Sequence, residues 1–138
     1  MKRYVIAVVA IMLLWASGAA AQNALPQLVG TWRGQSEVLL GTSNFSTQDV
    51  EFVILKQQGH LFTGVKRYVK EPERIKTEET FTGVILNDAR MIAFSDSDTG
   101  YNFAIMTGPD RLEIAYVHDG LGKKQPSMAC FLALTRQK

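Results

Sequence analysis

The chain has 138 residues, 46% of them hydrophobic and 20% charged, with a formal net charge of +2; one domain is the default at this length, and a second full one does not fit. Lys2 and Arg3 account for the whole excess: setting those two aside leaves 13 of the 15 Lys+Arg against 13 Asp+Glu, so the 117 residues after Ala21 are formally neutral. That balance excludes a globally basic surface of the kind that binds nucleic acid or anionic lipid.

Lys2 and Arg3 are followed by an apolar core of 11 residues, Val5 to Trp15, and by a small-residue stretch ending in Ala19-x-Ala21. As a helix that core spans only about 16 Å, roughly half the hydrocarbon thickness of a bilayer. The pattern therefore predicts a secretory signal peptide over residues 1–21, cleaved before Gln22, rather than an anchor. No cysteine follows to carry a lipid, and no later apolar run is long enough to span a membrane. A single mature domain over 22–138 is expected to be periplasmic or secreted, without stable membrane insertion. Cys130 is the only cysteine, which rules out an intramolecular disulfide and leaves stability to the core. Within Met128 to Leu134 it reads as a small buried hydrophobe rather than a nucleophile.

After a loose lead-in over Gln22 to Gln27, the chain alternates short β-type runs with turn residues, and no 3.6-residue stripe predicts a helix. The runs are Val29 to Leu40, Thr47 to Gln57, His60 to Lys70, Thr77 to Leu86, Arg90 to Ser95, Gly100 to Thr107, Arg111 to His118 and Met128 to Arg136. Gln57-Gln-Gly59, Asn87-Asp88, Asp96 to Gly100, Gly108-Pro-Asp110 and Asp119 to Pro126 separate them with turn chemistry. Connections this short favour antiparallel hairpins in chain order. A flat eight-stranded meander would expose two edges, whereas closure removes both. The predicted fold class is all-β: an eight-stranded antiparallel up-and-down β-barrel. A β-sandwich, the alternative, calls for longer crossings. Eight strands enclose an interior that side chains can fill or that can hold one small ligand.

Three segments carry a family resemblance. Leu28-Val-Gly-Thr-Trp32 contains Gly-x-Trp, Gln58-Gly-His-Leu-Phe-Thr-Gly64 contains a Phe-Thr-Gly segment, and Leu132-Ala-Leu-Thr-Arg136 closes the last run on arginine. These resemble the first, third and last strands of the calycin group of exported barrels, the avidins and lipocalins. The resemblance implies that Arg136 packs across Trp32 as a structural barrel plug, and stacking of guanidinium on indole is worth about 0.5–2 kcal/mol. It does not imply biotin binding. Trp32 is the only tryptophan after residue 21, Arg33-Gly-Gln35 replaces the usual Asn-containing segment, and Val65-Lys66 stands where a tyrosine is common.

With Arg136 facing in, the two-residue period places Leu134, Leu132, Cys130 and Met128 inside, and Ala129, Phe131 and Ala133 outside. Val50, Phe52 and Ile54 alternate likewise with Glu51, Val53 and Leu55, and Leu112, Ile114 and Tyr116 with Glu113, Ala115 and Val117. Outward Val53, Leu55, Ala115, Val117, Phe131 and Ala133 suggest a surface for homo-oligomerisation. Ser36, Lys66, Tyr68 and Tyr116 are the candidate ligand-binding residues inside. Lys66 is either buried against a ligand carboxylate or an internal acid such as Glu78, or turned outward to solvent.

No catalytic constellation appears. His60 and His118 adjoin turns, two histidines without a regular carboxylate spacing make a poor metal site, and Asp96 to Gly100 reads as a hairpin turn. The charged run Glu71 to Glu79 reads as a solvated connection. The expectation is a non-enzymatic exported barrel, with no cofactor and no metal, binding a small, largely apolar ligand with an acidic group. The alternative is a filled barrel that binds or inhibits another exported protein through its outer face or through loop Gly41 to Ser46, with Phe45 as anchor.

Overall fold

The computed structural model describes residues 25–70, 75–86, 91–97, 100–120 and 125–138; the predicted signal peptide and the Asn87-Asp88 turn lie outside these residues. Eight strands follow in chain order: β1 (Gly30–Leu40), β2 (Asn44–Gln58), β3 (Leu61–Lys70), β4 (Ile75–Ile85), β5 (Met91–Asp96), β6 (Tyr101–Gly108), β7 (Arg111–His118) and β8 (Met128–Arg136). Each pairs antiparallel with the next, and β8 pairs with β1, so the sheet closes into a barrel with no free edge. Every odd-numbered strand runs from one end, called here the closed end, to the other, the open end, and every even-numbered strand returns.

Alternation along the strands sends one set of side chains inward. On β2 Val50, Phe52 and Ile54 are buried, and on β7 Leu112 and Ile114. At mid-barrel the core is aromatic: Phe52, Phe62, Phe81 and Phe94 pack with ring centroids 5.2–6.2 Å apart in tilted and edge-to-face pairs. Four such rings fit because Gly64 and Gly83 occupy inward positions beside them. A Cβ on Gly83 would lie 2.3 Å from the Phe62 ring and 2.6 Å from Phe94 Cβ. Gly83→Ala is expected to cost about 1–3 kcal/mol by overpacking, measured by urea denaturation.

Two differences from the sequence expectations shape the ends. The described end of the Gln22 to Gln27 lead-in is held rather than loose: the Gln57 side chain donates to Pro26 O at 3.0 Å and accepts at 2.8 Å from N of Leu28, the fully buried residue just after it. A β-bulge makes this contact available. The register of β2 against β3 shifts between Ile54 and Lys56, which leaves Leu55 outside and turns Gln57 inward. At the open end β2 begins at Asn44, three residues earlier than expected, because Leu40 pairs with Asn44 across a turn in which Gly41 has φ 66°. Phe45 is thus an outward strand residue opposite Leu39 rather than a loop tip, and it is 78% exposed.

The outer surface has two unlike halves. Over β1 to β4 it is charged, with Arg33 and Arg67 both on Glu51 (2.6 and 3.0 Å) and Arg67 on Glu78 at 2.6 Å. Hydrogen bonds from Arg33 and Arg67 hold the Glu51 carboxyl below its usual range, although exposed pairs of this kind add little stability. Over β5 to β8 it is mostly apolar, with Glu113 of β7 standing between Ile105 and Ala133. Phe103, Ala115 and Phe131 are neighbours in register across β6, β7 and β8, with exposed Ile105 and Val117 beside them. Ala133 belongs to this face, whereas Val53 and Leu55 stand apart on β2, separated from it by outward Arg33, Gln35 and Glu37 of β1.

Candidate functional site

The closed end is sealed by Trp32 and Arg136. Trp32 and Arg136 are direct partners in the β1–β8 register, and the guanidinium carbon lies 4.3 Å from the ring centroid of the fully buried indole. Trp32 Nε1 donates to Leu28 O at 2.9 Å. Arg136 donates to Val29 O at 2.8 Å and to Gln27 O, and its Nε is 3.1 Å from Asp110 Oδ1. One side chain therefore stacks on the plug, ties down the entering chain and reaches the β6–β7 turn.

The open end is polar inside. Lys66 points inward, its ammonium 2.5 Å from Asp96 Oδ2 and 2.8 Å from Glu79 Oε2. Asp96 Oδ1 accepts from Asn102 Nδ2 at 3.2 Å, and Tyr68 donates its hydroxyl hydrogen to Glu79 Oε1 at 2.6 Å. The same ammonium lies 5.4 Å from the Tyr68 ring centroid and 5.1 Å from that of Tyr116. The three charged side chains are only 12%, 11% and 1% exposed for Lys66, Glu79 and Asp96, and such burial is tolerable because each charge is hydrogen-bonded. Burial alone would lower the Lys66 pKa, but Asp96 and Glu79 together outweigh it and hold the ammonium above the usual lysine range.

A group whose pKa is raised on folding contributes stability that is complete below its unfolded value and disappears as pH climbs through the folded one. The cluster should therefore support the barrel fully up to the ordinary lysine pKa of about 10.4 and lose that support above it. Melting temperature followed against pH should fall more steeply above that point in the wild type than in Lys66→Met, which has no ammonium to lose.

Around this cluster lies a cavity of about 80 Å³, lined by Ser36, Gln48, Val50, Lys66, Tyr68, Glu79, Asn102, Tyr116, Met128, Cys130 and Leu132. All four candidate ligand-binding residues, Ser36, Lys66, Tyr68 and Tyr116, line it. Burial raises the Tyr116 hydroxyl pKa, and burial also raises the Cys130 thiol, only partly offset by a hydrogen bond with Ser36, so both are neutral at neutral pH. Tyr116 lies flat against Gly100, where a Cβ would fall 1.9 Å from the ring.

Several expectations need correction here. Lys66 is neither outward nor free for a ligand carboxylate, since two internal acids hold it. Its partner is not Glu78, which faces out to Arg67. Asp96, read as a turn residue, ends β5 with its side chain buried, and Glu79, read as part of a solvated connection, is inside β4. Asn102 and Gln48 were also missed. Both histidines hold backbone: His60 Nδ1 is 2.7 Å from Ile85 O, and His118 Nδ1 accepts from Gly120 N at 3.0 Å. Among the described residues no group of three or more His, Cys, Asp or Glu could hold a metal ion.

No protein-family model matches the chain, and no curated protein matches it by sequence. Solved structures do match its fold. A redesigned β-barrel superposes with a TM-score of 0.59 at 8% identity over 80% of this chain and 92% of the other. The mFAP2b barrel bound to DFHBI gives 0.58 at 12% identity, over 80% and 94%. An S-type phycobiliprotein lyase from Guillardia theta gives 0.57 at 11% identity, over 80% and 89%. The likeness is one of fold. It shows that the chain shares a small β-barrel fold with these proteins.

Proposed function

We propose that the chain is an exported, non-enzymatic barrel of the avidin and lipocalin kind that binds a small ligand at its open end. The observation that carries this reading is the contrast between the two ends: one is sealed by Trp32 and Arg136, the other holds a cavity lined by buried and half-buried side chains, most of them polar. At about 30 Å³ per water, 80 Å³ has room for two or three waters. The site accordingly takes a polar head group of a few atoms, with an apolar remainder lying toward Met128 and the mouth. A similar barrel solved bound to DFHBI supports small-ligand binding by this architecture. The pattern of Met1 to Ala21 supports export, and the engagement of both histidines with backbone supports a non-catalytic role.

A fragment library screened by NMR against isotope-labelled protein tests the proposal. Ligands should shift the amides of Ser36, Asn102, Tyr116 and Cys130 and raise the melting temperature through selective binding to the folded state. Hits confined to the outer face or to the Trp32 end would refute it.

The apolar outer face favours a second reading, in which this half of the barrel covers another exported protein or a second copy of the chain. Phe103 is 52% exposed, and Ile105, Val117 and Phe131 are each 46% exposed. Analytical ultracentrifugation of wild type and Phe103→Glu distinguishes the forms of this reading: a dimer dissolved by the substitution is self-association, while a wild-type monomer leaves the face to another protein.

A further inference from the structure

The charges of the open-end cluster do not balance. One ammonium, Lys66, meets two carboxylates: Glu79, which with Lys66 lines the cavity, and Asp96, which is 1% exposed and lies outside that lining; no other charged side chain among the described residues lines the cavity. The cluster beside the pocket therefore carries one negative charge in excess, in a setting where low polarisability strengthens every interaction. Lys66 offers little to an anion. Two of its three hydrogens already serve Asp96 and Glu79, and an incoming carboxylate would face Glu79 on the cavity wall with Asp96 buried close by. The protein's own choice of group for this place is a cation, lodged beside two tyrosine faces and two carboxylates. The remaining walls supply hydroxyl and amide oxygens from Ser36, Tyr116, Gln48 and Asn102 that can accept from a donor.

We propose that the head group bound in this pocket is a small cation, an alkylammonium or similar protonated nitrogen, that closes the charge balance of Lys66, Glu79 and Asp96 and carries its alkyl part toward Met128. This rests on the reading of the open end as a ligand site and adds the chemical class of the ligand. Two groups on the same wall agree with it: the hydroxyl of Tyr116 and the thiol of Cys130 are both held in their neutral forms, chiefly by burial, so the wall disfavours an added anion.

The test uses three four-carbon probes of nearly equal size, butylammonium, butanol and butyrate, titrated at neutral pH and low salt into the wild-type protein, with pocket amide shifts as readout. Butylammonium is expected to bind at least about tenfold more tightly than butyrate, with butanol between them. In Glu79→Gln, where the cluster becomes neutral, that preference should shrink severalfold; if this variant does not fold, the wild-type series decides alone. Butyrate binding as well as butylammonium, or a preference unchanged in folded Glu79→Gln, would overturn the cationic head group while leaving the ligand site standing. No pocket shift with any of the three overturns both.

Discussion

Trp32→Ala should cost about 3–5 kcal/mol, because it removes the largest fully buried side chain and leaves the closed end without its seal. Arg136→Ala should cost about 2–3 kcal/mol, since the arginine gives up stacking on the indole, two charge-assisted hydrogen bonds to Gln27 and Val29, and its pairing with Asp110. In a double-mutant cycle by urea denaturation the losses should fall short of additive, as the Trp32–Arg136 contact disappears in either single variant. Additive losses would mean that the two residues stabilise the barrel separately.

Lys66→Met should be of comparable severity, at about 3–5 kcal/mol, for a different reason. It leaves Glu79 and Asp96 facing each other nearly out of solvent with no cation between them. The cost lies in the stranded acids rather than in the ion pairs as such. Combining Lys66→Met with Glu79→Gln and Asp96→Asn should therefore recover much of the loss, because replacing all the members of a buried charge cluster is often close to neutral. Denaturation midpoints of the single and triple variants, compared at constant slope, check this; a triple variant no more stable than the single would show that the ion pairs themselves hold the open end together.

The strand count and chain-order antiparallel closure were legible because turn chemistry cuts the sequence evenly and the connections are too short for crossovers. Inward placement of Ser36, Lys66, Tyr68 and Tyr116 followed from parity alone. Parity could have found more. Phe81 and Ile85 are inward, and counting back by twos along β4 reaches Glu79, not Glu78; Ile92 and Phe94 lead in the same way to Asp96. Both were obscured by local composition, one in a run of mixed charge and the other at the head of an Asp-Ser-Asp-Thr-Gly turn. The bulge at Leu55 was not legible, because an added residue in one strand leaves no mark on the sequence, and with it went the inward turn of Gln57 and the pinning of residues 25–29.

Cys130, the sole thiol of the chain, lines the open-end cavity and serves as a reporter built into the site. Its modification by methyl methanethiosulfonate, timed by mass spectrometry, measures access to the cavity directly. For a ligand that raises the melting temperature, a site at the open end requires the reaction to slow by at least about tenfold once the ligand saturates, in step with its affinity. A ligand that stabilises the protein yet leaves the rate of Cys130 modification unchanged would place binding elsewhere on the barrel and contradict the open-end site.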